Sequence, residues 1–335
     1  MPKPKVLVTK RFFPEPIAVL AEHAEVDYEA TDEGLTPAAL VARAQGKRAM
    51  ITQVTDQLGR DVLSQFTGLG VIAHFGVGYD NIDLHAATEH GIMVTNTPGV
   101  LDDTTADLAF ALMLAAARRI TEAHNFIQRG DWKRWTLDLM MGRDVHHRTL
   151  GILGMGRIGQ ALARRARGFS MRILYHNRTR LPLEMESALE AEWVSKERLL
   201  RESDFVSIHL PLTAETRHSM GESELRMMKP DAVLVNTARG LVVDEEALVR
   251  ALKEKWIAGA GLDVFEREPR LHPGLLECPN AVLTPHVGSS TVDTRMKMAM
   301  MTVDNAVAAL RGQRPPNLLN ASVWDRWASR PASAG

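Results

Sequence analysis

The sequence predicts an α/β protein of two doubly wound parallel-sheet domains, one of them a dinucleotide-binding Rossmann fold, and three observations carry that prediction. Short apolar runs alternate with helical segments along most of the chain, the pattern of parallel strands covered by helices on both faces. A glycine-rich turn, Gly154-Met155-Gly156-Arg157-Ile158-Gly159, joins an apolar run to an amphipathic helix. The chain has 335 residues, 45% of them hydrophobic, which is long for a single core.

The glycine turn organises the rest. Thr149 to Arg180 reads as a strand (Leu150, Ile152, Leu153), the turn, a helix (Ile158, Ala161, Leu162, Arg165, Ala166) and a second strand ending at Tyr175. Gly154 permits the tight turn, Gly156 lets backbone approach a pyrophosphate, and Gly159 lets helix and strand pack closely. The helix N-terminus then offers free N–H groups and a positive dipole end to phosphate. A lone GxGxxG is weak evidence, but here strand, helix and second strand are all in place.

Beyond the second strand the NAD pattern breaks. An acidic residue that would accept from the ribose 2′-hydroxyl is replaced by Asn177, Arg178, Thr179 and Arg180. Two guanidinium groups and a hydroxyl suit a 2′-phosphate, so NADP(H) is expected over NAD(H), which stays the alternative. The bland reading of the two arginines is solvated loop charge.

From residue 5 to 98, strands are expected at Val6–Thr9, Ala49–Thr52, Val71–His74 and Met93–Thr95, with helices near Glu15–His23, Pro37–Ala44 and Leu84–His90. The loop FGVGYDNID, Phe75 to Asp83, could present the N–H groups of Val77 and Gly78 to an anion, or could be a tight turn capped by Asp80 or Asn81. Thr97-Pro98-Gly99 interrupts the pattern, and Asp102 or Asp103 is placed to cap an apolar helix, Thr104 to Arg119, read as the bridge between domains. His124 to Arg148 carries Trp132, Trp135, Leu137, Leu139, Met140 and Met141 with little periodicity, which suggests a docked arm that could cross a dimer interface. Trp135 is a candidate to close a neighbouring subunit's substrate pocket; an ordinary buried Trp is the alternative.

Four later strands end in polar groups. Phe205–His209 leads into Leu210 and Pro211, and Ala232–Val235 into Asn236-Thr237-Ala238-Arg239-Gly240. Gly259–Leu262 leads into Asp263 through Pro269, and Ala281–Thr284 into Pro285-His286-Val287-Gly288. Ligands of open α/β sheets sit outside these carboxyl ends, so Arg239, Glu268 and His286 should meet there. A helix from Thr291 to Arg311 with Met296, Met298, Met300 and Met301 reads as adaptable core, and Arg326 to Gly335 as a frayed tail.

Composition narrows the function. With 40 basic and 41 acidic residues the net charge is -1, so nothing draws the chain to nucleic acid or an anionic membrane. The lone Cys278 permits no internal disulfide and fits a reducing compartment. Neither a signal peptide nor a spanning apolar run is evident, so a cytoplasmic protein is expected, with no metal.

An Arg, a carboxylate and a His beside a nicotinamide have a coherent task in reducing a 2-oxo acid. Arg239 would bind the substrate carboxylate and carbonyl oxygen. His286 would donate a proton to that oxygen, and Glu268 would orient the imidazole and favour its protonated form.

The motifs GMGRIG (Gly154–Gly159), NTARG (Asn236–Gly240), DVFEREP (Asp263–Pro269) and TPHVGS (Thr284–Ser289), in this order, resemble the D-2-hydroxyacid dehydrogenase family over nearly the whole chain. Within it, KVLVTKRFFPE, VGYDNID, NTPGVLDDTTADLAFALML, GDWKRW and NRTR are most similar to glyoxylate/hydroxypyruvate reductases. The resemblance implies a discontinuous flavodoxin-like substrate domain, 1–100 plus 287–335, with a Rossmann cofactor domain, 101–286, inserted in it, and a homodimer with 122–148 as its arm. It carries over the roles of Arg239, Glu268 and His286, and it favours Val77 and Gly78 as donors to the substrate carboxylate. It places Arg157 and Ile158 on the pyrophosphate, Leu210 and Pro211 by the adenosine, and Thr237, Ala238 and Asp263 near the nicotinamide. Met155, Thr105, Gly288 and Ser289, with Arg239 and His286 themselves, complete the expected cofactor contacts. The competing readings are a phosphoglycerate or phosphonate dehydrogenase and, in a different class, a corepressor-like nucleotide sensor. Formate dehydrogenases are disfavoured by Glu268.

Overall fold

The computed structural model describes residues 2–328. It divides into two compact units, Met1–Val100 with Thr291–Gly335, and Leu101–Ser290.

The first unit holds five parallel strands: β1 (Lys5–Val8), β2 (Glu25–Tyr28), β3 (Ala49–Gln53), β4 (Val71–Phe75) and β5 (Met93–Thr95), in the order β2-β1-β3-β4-β5. This is the flavodoxin-like doubly wound order. Strand β2 escapes the apolar pattern because Glu-Val-Asp-Tyr lies at the sheet edge, where half-exposure tolerates acids; Asp27 there pairs with Arg43 and Lys47. Leu7, Met50, Ile72 and Val94 fill one face of the sheet with Leu40, Leu58 and Leu63. The helix Val292–Leu310 covers β3 and β4 and packs on the helix Pro14–His23, so sequence from beyond residue 290 completes this core. Met298 is buried and Met296, Met300 and Met301 half-buried, as core filler would be. Arg326 is not in a frayed tail: Ala321–Ala328 is helical, and Arg326 Nη2 donates to Thr88 O at 2.5 Å. The rest of the expected tail, 329–335, lies outside the described residues.

The second unit holds seven parallel strands: β6 (Thr149–Leu153), β7 (Arg172–His176), β8 (Ala191–Trp193), β9 (Phe205–Ile208), β10 (Val233–Asn236), β11 (Gly259–Leu262) and β12 (Ala281–Leu283). Their order, β12-β11-β10-β9-β6-β7-β8, is that of a Rossmann sheet, with strand order reversing between β6 and β9. The strands are apolar on both faces. Leu150, Ile152, Phe205, Val233 and Val235 point to one core, and Leu153, Val206, Ile208 and Leu234 to the other.

The helix expected to bridge the domains, Asp102–Ala117, is a packed element of this second unit. It lies on β10, β11, β12 and the helix Arg157–Arg167 through Ala106, Ala109, Phe110, Leu112 and Met113. Neither Asp102 nor Asp103 caps it; both fall in its first turn, where the dipole favours them, and Asp103 and Asp107 pair with Arg165. The segment after it is more regular at its start than expected, since Ile120–Gln128 is helical. Beyond that helix, Trp132, Trp135, Leu137 and Met141 are 55%, 74%, 86% and 66% exposed, so these side chains are not docked on their own chain, whereas Val145 farther along is buried in its core. No helix among the described residues is long and apolar enough to cross a membrane.

Candidate active site

The glycine turn is built as its sequence implies. Gly154 sits at φ +97°, and a side chain there would strike the backbone of His209, where β9 ends, at 2.7 Å. Gly159 presses on the Gly154 carbonyl, which holds the helix Arg157–Arg167 against β6. A Cβ on Gly156, by contrast, would meet nothing within 4 Å, so the space before the helix N-terminus is open to a phosphate group. Met155 N–H donates to Asn177 Oδ1 at 2.6 Å, tying the turn to the end of β7.

The loop after β7 assigns its two arginines different surroundings. Arg178 and Thr179 are exposed. Arg180, expected beside them as a phosphate ligand, is forked onto Glu186 at 2.8 and 2.7 Å, and the Tyr175 hydroxyl donates to the same carboxylate at 2.5 Å. Arg180 and then Tyr175 hold Glu186 down to about 2, while burial and then Glu186 push Tyr175 up to about 12. The reason lies six residues on, where the next helix starts with a carboxylate on its inner side. An acidic group also lies within reach of Arg178: exposed Glu215 is lowered by the Thr213 hydroxyl, by its own backbone N–H and, last, by Arg178.

At the carboxyl end of β10, the buried Asn236 side chain straps the following turn. Its Nδ2 donates to Arg239 O at 2.9 Å and its Oδ1 accepts from Ala238 N–H at 3.0 Å. The buried Thr237 hydroxyl finds no hydrogen-bond partner among the described residues, as expected of a group that awaits a ligand. Gly240 touches the next loop so closely that a Cβ would fall 1.9 Å from the carbonyl carbon of Phe265.

His286 and Glu268 meet as expected. His286 Nδ1 lies 2.7 Å from Glu268 Oε2, and Glu268 Oε1 accepts from Phe265 N–H at 2.9 Å. A carboxylate can only accept, so Nδ1 carries the proton and Nε2 is left for another partner. Burial works to raise the Glu268 pKa, but the His286 bond and charge, Phe265 N–H and Arg239 together bring it below the usual carboxylate value. Arg239 is therefore within electrostatic reach of the pair, while its Nη1 also donates to Ala238 O at 2.8 Å.

Asp263 holds the His286 turn in place. Buried at 1% exposure, it accepts from Thr284 Oγ1 at 2.6 Å and from the N–H groups of Val287 and Gly288 at 2.8 Å each, while its own carbonyl takes His286 N–H at 2.9 Å. Those bonds keep His286 at φ +53°, a conformation uncommon for a side-chain-bearing residue. Burial raises the Asp263 pKa, opposed by the same donors. Residues 287–290 consequently stay with the second unit, and a Cβ on Gly288 would touch Thr105 at 3.4 Å.

Leu210 is half-buried against the core and Pro211 exposed; Ser289 is half-buried; Trp135 is exposed. Two clefts in this unit, about 380 and 590 Å³, are lined by Glu122 with Met140 or Met141 and include no residue of the Arg239–Glu268–His286 group. In the first unit, the carbonyls of Gly76, Val77 and Gly78 are tied back by Thr97 N–H, Asn96 Nδ2 and His74 Nε2 at 3.0, 2.9 and 3.0 Å. The N–H groups of Val77 and Gly78 donate to no described residue. The tight turn is formed, Ile82 N–H donating to Tyr79 O at 2.9 Å across Asp80 and Asn81, but the cap of the helix Leu84–Glu89 is Asp83 rather than either of them.

The family described as D-isomer specific 2-hydroxyacid dehydrogenase, NAD binding domain, matches residues 110–288. A glyoxylate reductase of Thermococcus litoralis is 49% identical, with 96% of this chain and 98% of that protein covered. A glyoxylate reductase of Korarchaeum cryptofilum is 50% identical over 96% and 97% of the two chains. Among solved structures, the NADPH-dependent glyoxylate/hydroxypyruvate reductase of Sinorhizobium meliloti, in complex with NADP and malonate, superimposes with a TM-score of 0.86 at 34% identity, covering 95% of this chain and 97% of that one.

Proposed function

Because this chain belongs to the D-isomer specific 2-hydroxyacid dehydrogenase family, we propose that it reduces a small 2-oxo acid, glyoxylate or hydroxypyruvate, to the 2-hydroxy acid, with NADPH preferred over NADH. The single observation that carries the reading is the His286–Glu268 bond of 2.7 Å within the electrostatic reach of Arg239 at the carboxyl ends of a Rossmann sheet. The names of the relatives support glyoxylate as the substrate class.

The residues present fit a pyridine dinucleotide. Open space before the helix at Arg157 and Ile158, the unpartnered Thr237 hydroxyl and the Asn177–Thr179 loop would hold its phosphates, nicotinamide end and ribose. Once bound, the reduced nicotinamide supplies hydride. Arg239 then binds the carboxylate and polarises the ketone of the oxo acid, and His286 Nε2 delivers a proton to the ketone oxygen. Glu268 keeps the Nδ1 tautomer and balances the imidazolium charge. For Val77 and Gly78 we propose the role of backbone donors to an anion, on the strength of their uncommitted N–H groups. The exposed apolar arm is proposed as the contact surface of a homodimer.

NADPH preference is assigned to Arg178 and Thr179, since Arg180 is engaged by Glu186. The ratio of kcat/KM for NADPH over NADH should exceed one in the wild type and fall about tenfold or more in Arg178→Asp, as a charge-assisted bond is lost and a repulsive charge added. A wild-type enzyme that favours NADH would sink the assignment.

A further inference from the structure

The chain carries a second pair of carboxylates, two and six residues from the reacting groups in neighbouring loops, that the mechanism leaves unused. Glu245 begins the helix Glu245–Lys253, which follows the turn bearing Arg239, and Glu266 lies two residues before Glu268. Their side chains are exchanged: Glu245 Oε1 accepts the N–H of Glu266 at 2.7 Å, and Glu266 Oε1 accepts the N–H of Glu245 at 3.1 Å. His218 Nε2 lies 2.9 Å from Glu266 Oε1, outside hydrogen-bond geometry.

Three features make this more than a helix cap. Glu245 is 7% exposed, so burial raises its pKa and Glu266 adds like-charge repulsion; a neutral acceptor could satisfy the same amide without that cost. Gly240 sits in backbone contact with Phe265 and Glu266, so the turn after Arg239 and the loop before Glu268 cannot move independently. The loop's preceding amide, Phe265 N–H, goes to Glu268 itself.

We propose that Glu245 and Glu266 are positioning residues for the reaction: their exchanged carboxylate–amide bonds lock the loop of Arg239 to the loop of Glu268, and thereby fix Arg239, Glu268 and His286 relative to one another. The inference rests on the function proposed above. The glycine turn and the Asn177–Thr179 loop, which would hold the phosphates and ribose, belong to other strands, so most of the cofactor affinity is set away from this brace and only the nicotinamide end, at Thr237, lies beside it.

The test compares kcat with glyoxylate and the NADPH dissociation constant, read by fluorescence, in Glu245→Ala, Glu266→Ala and the corresponding Gln variants. The alanine variants should lose kcat by about tenfold to a hundredfold, the range expected for displacing a reacting group by about 1 Å. NADPH binding should stay within about twofold, and the Gln variants should recover most of kcat because an amide oxygen still accepts the partner's N–H. If an alanine variant does not fold, Glu245→Asp and Glu266→Asp, whose carboxylates fall short of the partner amide, should show the same loss. His286→Ala in the same assay separates the failures. Normal kcat in the brace variants beside a disabled His286→Ala overturns the brace alone. So does an equal loss of kcat and NADPH affinity, unrelieved by Gln. Near-normal turnover in His286→Ala overturns the proposed function and the brace with it.

Discussion

Replacing His286 with alanine is expected to lower kcat for glyoxylate by about a hundredfold or more while leaving NADPH affinity nearly unchanged. The imidazole is anchored by Glu268 at Nδ1 and by a left-handed backbone clamped on Asp263, so Nε2 is presented in one orientation. No other titratable side chain shares that turn: Thr284 is committed to Asp263, and Pro285 and Val287 carry no proton to give. Residual turnover should come from binding and orientation alone. Steady-state NADPH oxidation with the purified variant checks this, and an alanine enzyme of near-normal turnover would remove His286 from the proton transfer.

Arg239→Lys is expected to act mainly on substrate capture. A guanidinium can grip a carboxylate with two parallel N–H bonds, whereas an ammonium offers a point charge on a flexible stem. Losing one charge-assisted bond of about 1.5–3 kcal/mol corresponds to a rise in KM for the oxo acid of roughly 10- to 150-fold. The effect on kcat should be smaller, and NADPH binding should be preserved. The Asn236 strap fixes the Arg239 backbone whatever the side chain, so a lysine there should start from the same place. Initial rates over a range of glyoxylate concentrations separate the two constants; an unchanged KM would show that the substrate carboxylate is held elsewhere.

The βαβ core and the meeting of His286 with Glu268 were legible because each rests on local rules. Strands apolar on both faces and a glycine at positive φ leave a trace in sequence, and ligand groups gather at strand ends in such sheets. Edge strands β2 and β8 left little trace, since edge positions need not be apolar. What sequence could not give was the partner of a charge. Arg180 reads as a phosphate ligand, and only the structure shows Glu186 beneath it; Asp263 reads as a nicotinamide neighbour, and only the structure shows its carboxylate binding Thr284, Val287 and Gly288. Glu245 gives no sequence signal of its own, and Asn236 and Glu266 stand out only as members of the NTARG and DVFEREP runs. Asn236 acts through bonds within its own turn, and Glu245 and Glu266 through bonds between loops, partners that no sequence pattern names.

The most direct test is a crystal structure with NADPH and oxalate, an unreactive anion that imitates the carboxylate and ketone oxygens of glyoxylate. Oxalate oxygen within about 2.6–3.2 Å of His286 Nε2, with its carboxylate on the Arg239 guanidinium, is the predicted result. Oxalate held by other residues, with His286 Nε2 beyond hydrogen-bond reach of every one of its oxygens, would contradict the account.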